Sequence, residues 1–530
     1  MGERRMFSKR MFSRQMFSKA PARLFCAAMA AFLLLPAVAA AQNGWLTWGY
    51  DQQRTGWNRS ETVLTKENVS RLELKWKSQL SIPLNDIVLS TVTAPLVATV
   101  NGPQGPSTRV FVVGSDNTVY SLESETGEIV WQKRFPNTLT PSKPATTSCS
   151  NTQNATPVID QEAGTIYVST SDGKLRGLNL ANGEERMPSV AFNSPFARNW
   201  SLNLIDGVIY TSTGRGCGDA MAHFTALDLK DPSHKVVEFY TSTGRPAGAW
   251  GRGGMVRGPR GIYAANADGP YDPASGKFGH SVMALSLKDL RLLDSFTPAN
   301  WKYLEEKDLD LGSTSPSIFP FQKWTLVAIA GKESVVYLLD AANLGGSDHM
   351  TPLYRSPRWG NDGAMHDDFG VWGSMAAWQD AQGKTWLLMP MSGPPSKDAP
   401  KFKYTYGPAD GGSIMAFEVQ LDPATKLPTM IPQWISRDMH APDPPVVANG
   451  VVYVLQTGKN TLEARVKGKV GSRQATNAVL FALDAETGRQ LFSSEKLIES
   501  WAHFSEPVIV GGKIFVSTWD GSVYSFGLKK

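Results

Sequence analysis

Apolar and polar residues follow each other along this chain in a unit that returns eight times after residue 90. Each unit has a β-branched or aromatic segment of about five residues, a polar turn, and a second segment that often ends in an acid. Such segments are typical of short strands, and no amphipathic helix of useful length interrupts them. The β-branched segments begin at Val110, Thr165, Val208, Gly261, Leu326, Trp386, Val451 and Lys513.

The spacing of the units indicates their architecture. Counted over the seven steps from Val92 to His503, the mean step is about 59 residues, which is room for four short strands. Repeated four-stranded antiparallel units without helices predict an all-β fold, an eight-bladed β-propeller. A seven-bladed ring with one unit misread is the alternative.

The two ends of the repeat region are complementary. The last unit has only three strands after His503, and an unassigned strand, Leu72–Gln79, precedes the first unit. An open ring would leave sheet edges exposed. We therefore expect this N-terminal strand to complete the last blade and close the ring.

A glycine and an aromatic residue recur at a fixed spacing where one strand turns into the next. Gly127 is followed four residues later by Trp131, and Gly488 by Phe492. The glycine suits a sharp turn, and the aromatic ring suits packing between neighbouring blades. We interpret these residues as structural and not as parts of a site.

The charge of the chain is concentrated at its N-terminus. The 530 residues are 42% apolar, which excludes a disordered chain, and their formal net charge is +5. Residues 1–41 hold seven Lys and Arg residues and one acid, and the apolar run at 24–41 ends in small residues, as in a secretory signal peptide. We expect cleavage after residue 39 or 41, with residues 1–41 as the signal segment, a single propeller domain at 42–530, and a periplasmic or secreted protein. An uncleaved membrane anchor is the alternative.

Removal of the signal segment changes which partners the sequence favours. The remaining chain has a formal charge of about −1 and no basic run, so nucleic acid is not an expected partner. No transmembrane segment is expected after cleavage. Cys149 and Cys217 remain, and a disulfide between them and two buried free thiols are both consistent with the sequence.

Three stretches of the sequence resemble one known family. They are the glycine and tryptophan repeat around Gly127, the lead-in at residues 48–58, and residues 308–316 followed by Ala330-Gly-Lys332. Together they resemble the quinoprotein alcohol dehydrogenase-like superfamily, whose members are eight-bladed propellers, many of which bind pyrroloquinoline quinone (PQQ). The resemblance implies an oxidoreductase that uses PQQ and calcium to oxidise an alcohol-type small-molecule substrate, with a separate electron acceptor.

The resemblance also implies roles for particular residues. Asp308 or Asp310 would be the catalytic base, and Lys332 would be the partner of a quinone oxygen. PQQ is a flat tricarboxylate that needs cations, a stacking aromatic ring and usually a calcium ion with oxygen ligands. The candidates are Arg198 and Arg252 for its carboxylates, Trp250 or Trp372 for stacking, Asn199 as a further cofactor-binding residue, and Asn154 and Glu506 as metal ligands.

Residues just before the first strand of each blade should converge at one end of the central channel. This position adds polar and aromatic candidates, which are His366, Asp367, Asp368, His440, Asp443, Trp501 and His503. Glycine-rich stretches at 250–254 and 369–373 either let the backbone approach a ligand or ease the turns of the blades.

Three features separate this chain from those dehydrogenases. The stretch Val92-Thr-Ala-Pro95 lacks the glutamate that the family has there, no vicinal cysteine pair is present, and no Cys-x-x-Cys-His haem motif occurs. We therefore expect no haem in this chain. The alternative function is a noncatalytic quinoprotein-like propeller that binds an envelope protein or a saccharide.

Overall fold

The computed structural model describes residues 44–84, 90–102, 105–146, 148–214, 216–242, 248–366, 369–459 and 475–529. The segment expected to be a signal peptide, residues 1–41, lies outside these ranges, and its cleavage stays a prediction. Within these ranges no helix has the length and apolarity needed to cross a membrane.

The described residues form short strands joined by turns. In chain order the strands are β1 (Trp57–Asn58), β2 (Leu72–Gln79), β3 (Leu96–Gly102), β4 (Gly105–Val113), β5 (Thr118–Glu123), β6 (Ile129–Arg134), β7 (Val158–Asp160), β8 (Thr165–Ser169), β9 (Lys174–Asn179), β10 (Val190–Ala191), β11 (Arg198–Asn199), β12 (Asn203–Ile205), β13 (Val208–Gly214), β14 (His223–Asp228), β15 (Val236–Tyr240), β16 (Val256–Gly258), β17 (Gly261–Ala265), β18 (Tyr271–Asp272), β19 (Lys277–Phe278), β20 (Val282–Leu285), β21 (Leu292–Phe296), β22 (Ser317–Phe321), β23 (Trp324–Ala330), β24 (Val335–Asp340), β25 (Tyr354–Arg358), β26 (Gly370–Val371), β27 (Ala376–Gln379), β28 (Thr385–Ser392), β29 (Tyr404–Thr405), β30 (Gly412–Leu421), β31 (Pro428–Ile435), β32 (Val446–Ala448), β33 (Val451–Gln456), β34 (Val479–Asp484), β35 (Gln490–Ser493), β36 (Val508–Val510), β37 (Lys513–Ser517) and β38 (Ser522–Leu528).

Helices are few and short. The part of the chain that the structure describes has one α-helix, α1 (Trp301–Lys307), which precedes β22. The 3-10 turns are Val69–Arg71, Cys217–Asp219, Pro273–Ser275, Leu311–Ser313 and Gly346–Asp348.

Apart from the two-stranded sheet of β18 and β19, the described strands group into eight mainly antiparallel sheets, the blades of a propeller. Blade 1 is β3–β6, blade 2 is β7–β10, blade 3 is β11–β15, blade 4 is β16, β17, β20 and β21, blade 5 is β22–β25, blade 6 is β26–β31, blade 7 is β32–β35 with β1 at its inner edge, and blade 8 is β36–β38 with β2. The predicted eight-bladed, all-β fold is therefore confirmed, and the seven-bladed alternative is wrong.

Strand β2 lies at the outer edge of blade 8, far along the chain from the other strands of that blade. It pairs antiparallel with β38, from Leu72 opposite Leu528 to Gln79 opposite Ser522, with a bulge between Leu74 and Trp76. The edge of β38 is therefore covered by a strand from the N-terminal part of the chain.

The middle strands of the blades are buried on both faces. All five residues of β8 and of β17 are buried, whereas most of the outer strand β6 is exposed. This explains why the middle strands have continuous apolar sequences, since each sheet packs against a neighbouring sheet on either side. The core of the molecule therefore lies between the blades.

Tryptophan rings from the outer strands pack on the glycine turns of the next blade. Trp131 of blade 1 packs on Gly183 of blade 2, where an added Cβ would lie 2.6 Å from the ring. The indole nitrogen of Trp131 donates a hydrogen bond to the carbonyl of Leu180 at 3.0 Å. Trp76 packs on Gly127 and Trp434 on Gly488 in the same manner. The structural interpretation of this repeat is confirmed.

An irregular segment, residues 45–58, runs around one end of the channel and is hereafter called the N-terminal ring segment. It makes a hydrogen bond to the inner strand of each blade in turn. From blade 1 to blade 8 the partners are Val97, Ile159, Leu204, Arg257, Ile318, Ala377, Val447 and Ile509. The segment therefore satisfies inner-edge backbone groups that would otherwise face the channel.

Arg54 anchors the N-terminal ring segment in the interior. Its side chain is 1% exposed and donates to the carbonyls of Gly253 and Leu202, each at 3.0 Å, and to the hydroxyl of Thr47 at 2.6 Å. Burial lowers the pKa of Arg54 to about 9, although Asp51 and Glu506 oppose this effect. The guanidinium thus links the segment to blades 3 and 4.

Candidate functional site

The candidate residues lie before the inner strands along the chain, and the N-terminal ring segment binds within those strands. Asp310 precedes β22, Asp443 precedes β32 and Glu506 precedes β36. Because the inner strands of a propeller run in the same direction along the channel, residues that precede them lie near the same end of these strands. The polar candidates are therefore gathered near one end of the inner strands, and Glu506 also interacts electrostatically with Gly49 and Arg54 of the ring segment.

Lys332 and Asp310 form the centre of the candidate site. The Lys332 Nζ atom lies 2.6 Å from Oδ2 of Asp310 and 3.7 Å from Oδ2 of Asp308, and it donates to the Asp308 carbonyl at 3.1 Å. Asp310 is 0% exposed and Lys332 is 3% exposed. Within the part of the chain that the structure describes, Oδ1 of Asp310 has no hydrogen-bond partner.

Local backbone structure brings these residues together. Helix α1 ends at Lys307, its C-cap Asp308 has a left-handed conformation with φ of 55°, and Asp310 then precedes a 3-10 turn. Lys332 comes from the β23–β24 turn, where its amide donates to the Asp310 carbonyl at 3.1 Å. An added Cβ on Gly331 would lie 2.2 Å from that carbonyl oxygen. Glycine at 331 therefore permits the close approach.

A third carboxylate, which the sequence reasoning missed, joins the two aspartates. Asp268, in the connection after β17, offers an oxygen that lies within 4.8 Å of oxygens from Asp308 and Asp310. Carboxylate oxygens grouped in this way are ligands for hard cations such as calcium. The Asn-Ala-Asp-Gly sequence after β17 was the signal available, but nothing in it connects Asp268 to residues 40 positions further on.

The two metal candidates from the sequence lie elsewhere. The amide of Asn154 donates to the carbonyl of Asn199 at 2.6 Å. The Asn199 side chain in turn accepts from the Thr213 hydroxyl at 2.7 Å. Glu506 lies beside Arg252, as described below, and not in the group of three aspartates.

Trp250 lies between two cations at the site. The Arg198 guanidinium is 4.4 Å from the centre of the Trp250 ring, and Lys332 Nζ is 5.9 Å from it. Lys332 is also 5.3 Å from the ring of Trp372, and Arg198 donates to the carbonyl of Ser148 at 3.2 Å. Arg198, Trp250, Trp372, Lys332 and Asp310 thus form a connected group, and their roles toward a cofactor stay predictions.

Arg252 is engaged differently. Its Nη2 atom lies 2.5 Å from Oδ1 of Asp443, and its guanidinium is 4.3 Å from the centre of the Phe504 ring. Arg252 comes from blade 4, Asp443 precedes blade 7 and Phe504 precedes blade 8, so the side chain crosses the channel. Arg252, which the resemblance implied as a partner of cofactor carboxylates, is paired through Nη2 with a carboxylate of the protein.

Glu506 is buried next to this ion pair. The residue is 1% exposed, and burial raises its pKa to about 7, while the charge of Arg252 acts in the opposite direction. Asp443 adds to the rise because it is a second negative charge. Glu506 is therefore a carboxyl group that changes its charge near neutral pH.

A disulfide joins two loops at the edge of the site. Cys149 and Cys217 are bonded, with their Cα atoms 5.3 Å apart, which excludes two free thiols. Cys149 follows Ser148, whose carbonyl accepts from Arg198. The bridge therefore fixes the backbone that binds one of the two cations next to Trp250.

The glycine-rich stretches serve contacts between blades. An added Cβ on Gly251 would lie 2.2 Å from the amide nitrogen of Ser315, and one on Gly253 would lie 2.8 Å from the ring of Trp48. A Cβ on Gly370 would lie 2.5 Å from the Cα of Lys332. The sequence left open whether these glycines let the backbone approach a ligand or ease the turns of the blades. The close contacts of these positions are with other parts of the protein, which supports the structural interpretation.

The other sequence candidates lie in separate contacts. Trp501 stacks on Trp519 at 4.3 Å, and His503 stacks on Phe504 at 3.8 Å. His440 is 3.5 Å from Asp438 and almost half exposed. His366 lies in the connection between β25 and β26, and Asp367 and Asp368 lie outside the described residues.

The comparisons with known proteins agree with the fold. A PQQ-repeat family model, described as outer membrane protein assembly factor BamB, matches residues 73–232. No curated protein gives a significant sequence match. Many solved structures are similar.

Three of the similar structures are dehydrogenases. The quinohemoprotein alcohol dehydrogenase of Pseudomonas putida HK5 is 14% identical, with 92% of this chain and 80% of that chain covered and a TM-score of 0.56. The quinohemoprotein alcohol dehydrogenase of Comamonas testosteroni is 14% identical, with 93% and 81% covered and a TM-score of 0.56. A europium-containing methanol dehydrogenase is 13% identical, with 92% and 98% covered and a TM-score of 0.59. At these identities the likeness shows the propeller fold, which is the fold that the resemblance to the quinoprotein superfamily implied.

Proposed function

We propose that this PQQ-repeat propeller is an exported, quinone-dependent oxidoreductase that acts on an alcohol-type small molecule. The observation that carries the proposal is the buried Asp310, paired with Lys332 at 2.6 Å and grouped with two further aspartates. A buried carboxylate with one oxygen held by a lysine and the other without a partner among the described residues is suited to accept a proton. The periplasmic or secreted location is part of the proposal.

The residues at the site fit PQQ and a hard cation. Lys332 and Arg198 supply positive charge for an anionic ligand, and Trp250 and Trp372 are partly exposed rings beside them. The group of Asp268, Asp308 and Asp310 supplies oxygen ligands for the cation. Arg252 pairs with Asp443 through Nη2, while its Nε and Nη1 atoms have no hydrogen-bond partner among the described residues, so a role toward a ligand carboxylate remains part of the proposal.

The chain's own residues would do the following. Asp310 would accept the proton of a substrate hydroxyl at Oδ1, while Lys332 holds Oδ2 and fixes the carboxylate plane. Arg198 and Trp250 would orient a flat anion by charge and stacking. The bound quinone would supply the two-electron acceptor, and a separate protein or small molecule would then reoxidise it.

Reconstitution tests the proposal. Purified protein is mixed with PQQ and calcium, and binding is followed by quinone absorbance and by the thermal midpoint, with dye-linked alcohol oxidation as the activity. We expect binding and oxidation in the wild type, and loss of at least about 100-fold in rate for Asp310→Asn with binding retained. Asp422→Asn, in the β30–β31 turn, is the control with unchanged rate.

Each result decides part of the proposal. No quinone absorbance together with no thermal shift would reject a quinone-dependent function. Binding with unchanged oxidation in Asp310→Asn would remove Asp310 as the base, and the same comparison with Asp308→Asn would decide whether its neighbour has that role.

The second candidate is a noncatalytic propeller that binds an envelope protein. The match of residues 73–232 to the family model described as BamB favours it. This function predicts no quinone binding, and it predicts unchanged partner binding when Asp310 is substituted. The reconstitution described above therefore separates the two functions.

A further inference from the structure

The three aspartates of the site come from two separate segments. Asp268 lies in the connection after β17 of blade 4, and Asp308 and Asp310 follow α1 at the start of blade 5. Three carboxylates within 4.8 Å repel one another, and Lys332 offsets a single charge. Some other contact must hold the two segments in place before a cation is bound.

Glu305 makes that contact. It lies in α1, three residues before Asp308, and its Oε2 atom accepts a hydrogen bond from the amide of Gly269 at 2.6 Å. Gly269 is the residue next to Asp268. The side chain of Glu305 therefore reaches from the helix that presents Asp308 to the backbone that presents Asp268.

His280 holds the Glu305 carboxylate from the other side. Its Nε2 atom lies 3.2 Å from the same Oε2 atom, and the histidine is 0% exposed. A fully buried imidazole in contact with a carboxylate has little freedom to move, so it restricts the position of that carboxylate. His280 and Glu305 thus act as one unit.

Close backbone packing surrounds this unit. An added Cβ on Gly279 would lie 1.8 Å from the carbonyl oxygen of Gly269, and one on Gly312 would lie 2.6 Å from the amide nitrogen of Ala267. The connection after β17 is therefore in direct backbone contact with the β19–β20 turn and with the 3-10 turn that follows Asp310. Glu305 fixes the place where these segments meet.

We propose that Glu305, held by His280, is a positioning residue that keeps Asp268 against Asp308 and Asp310 so that the three carboxylates bind one hard cation. The inference rests on the proposed function for the identity of the site. A second observation points to a ligand there, since Asp310 is fully buried and its Oδ1 atom has no partner among the described residues. Glu305 itself is assigned no contact with the cation.

Cation binding without any quinone tests the proposal. The affinity of purified full-length protein for terbium(III) is measured by sensitised luminescence, and calcium is measured as the competitor. We expect Glu305→Ala to weaken binding by about 10- to 100-fold, as removal of residues that orient metal ligands commonly does. Glu305→Gln retains an oxygen that can accept from Gly269, so we expect it to stay within about threefold of the wild type.

Glu306→Gln is the matched control. Glu306 is the next residue of the same helix, its side chain is 69% exposed, and it pairs only with Lys307 among the salt bridges of the described residues. This variant removes the same charge without touching the Gly269 contact, and we expect wild-type affinity. Thermal midpoints of all variants show whether each one is folded.

The outcomes separate positioning from charge and from the proposed function. If Glu305→Gln binds as weakly as Glu305→Ala while both are folded, the effect is one of charge and the positioning role is rejected. Wild-type affinity in Glu305→Ala also rejects it, and absence of cation binding in the wild type rejects the site as a whole. If the wild type binds the cation, the variants differ as expected and PQQ is not bound, the inference stands and the quinone-dependent function fails.

Discussion

Substitution of Glu506 by Gln tests the charge arrangement inside the channel. Glu506 is 1% exposed and lies beside the Arg252–Asp443 pair, and burial raises its pKa to about 7 from an ordinary value of 4.5. Gln has nearly the same shape but carries no charge at any pH. The comparison of the two proteins therefore isolates the cost of ionising this buried group.

The sign and the size of the effect follow from linkage. Below pH 4.5 the carboxyl is protonated in both the folded and the unfolded state, so the group adds no pH dependence. Between pH 4.5 and 7 the unfolded state ionises first, which lowers the free energy of unfolding of the wild type as pH rises. The difference between the two pKa values corresponds to about 3 kcal/mol, and this loss is complete above pH 7. We therefore expect Glu506→Gln to gain up to about 3 kcal/mol relative to the wild type between pH 4.5 and pH 8.

Denaturant unfolding between pH 4.5 and pH 8.5 measures this gain. Wild type, Glu506→Gln and the exposed control Glu495→Gln are compared at each pH, and the quantity of interest is the difference between each variant and the wild type. The control should differ from the wild type by a nearly constant amount, because Glu495 is exposed in the fold. If the difference for Glu506→Gln is the same at pH 5 and pH 8, the carboxyl is not destabilised by burial and the reasoning is refuted.

Two further predictions concern the connections between blades and loops. Gly127→Ala should lower the free energy of unfolding by about 1–3 kcal/mol more than Gly164→Ala in chemical denaturation. Both glycines have positive φ, but an added Cβ at 127 would meet the Trp76 ring at 2.5 Å, whereas one at 164 would meet nothing within 4 Å. Equal losses in the two variants would contradict the packing role of the tryptophan. Replacement of both Cys149 and Cys217 by Ala should lower the free energy of unfolding by about 4 kcal/mol, as expected for a bridge that spans 68 residues. A loss below about 1 kcal/mol would show that the two loops are ordered without the disulfide.

The sequence predicted the repeat well because a blade is a local structure. Strand, turn and strand follow one another within about 59 residues, and the apolar segments and glycine turns record them directly. The packing of Trp131 on the next blade could also be inferred, since its spacing from Gly127 recurs. The strands, the turns and the glycine–tryptophan spacing are all determined by residues that are close together in the sequence.

The N-terminal ring segment could not be predicted in the same way. Residues 45–58 have no periodic pattern, and their hydrogen bonds go to eight strands spread from Val97 to Ile509. Only the finished ring brings those strands within reach of one short segment. Residues 48–58 resemble the lead-in of the quinoprotein family. That resemblance located the segment in the sequence, but it did not predict which strands the segment contacts.

Only those site residues that lie close together in the sequence could be predicted as a group. Asp308, Asp310 and Lys332 lie in one blade, and the resemblance grouped them before any contact was known. Asp268 comes from the neighbouring blade, and the partner of Arg252 lies 191 residues away, so neither relation leaves a trace in local sequence. Whether an arginine binds a ligand or another part of the protein depends on such distant partners.

A linear array of repeats has two ends, but this propeller has none. Strand β2 pairs with β38 in the last blade, and the N-terminal ring segment contacts all eight blades. In an open array the terminal repeats have one neighbour and unravel first. Here every blade has two neighbours and a hydrogen bond to the same segment, so no blade is a terminal one. Local opening of a single blade must break two interfaces and one ring contact together, and amide exchange in the inner strands should consequently report the global unfolding of the ring.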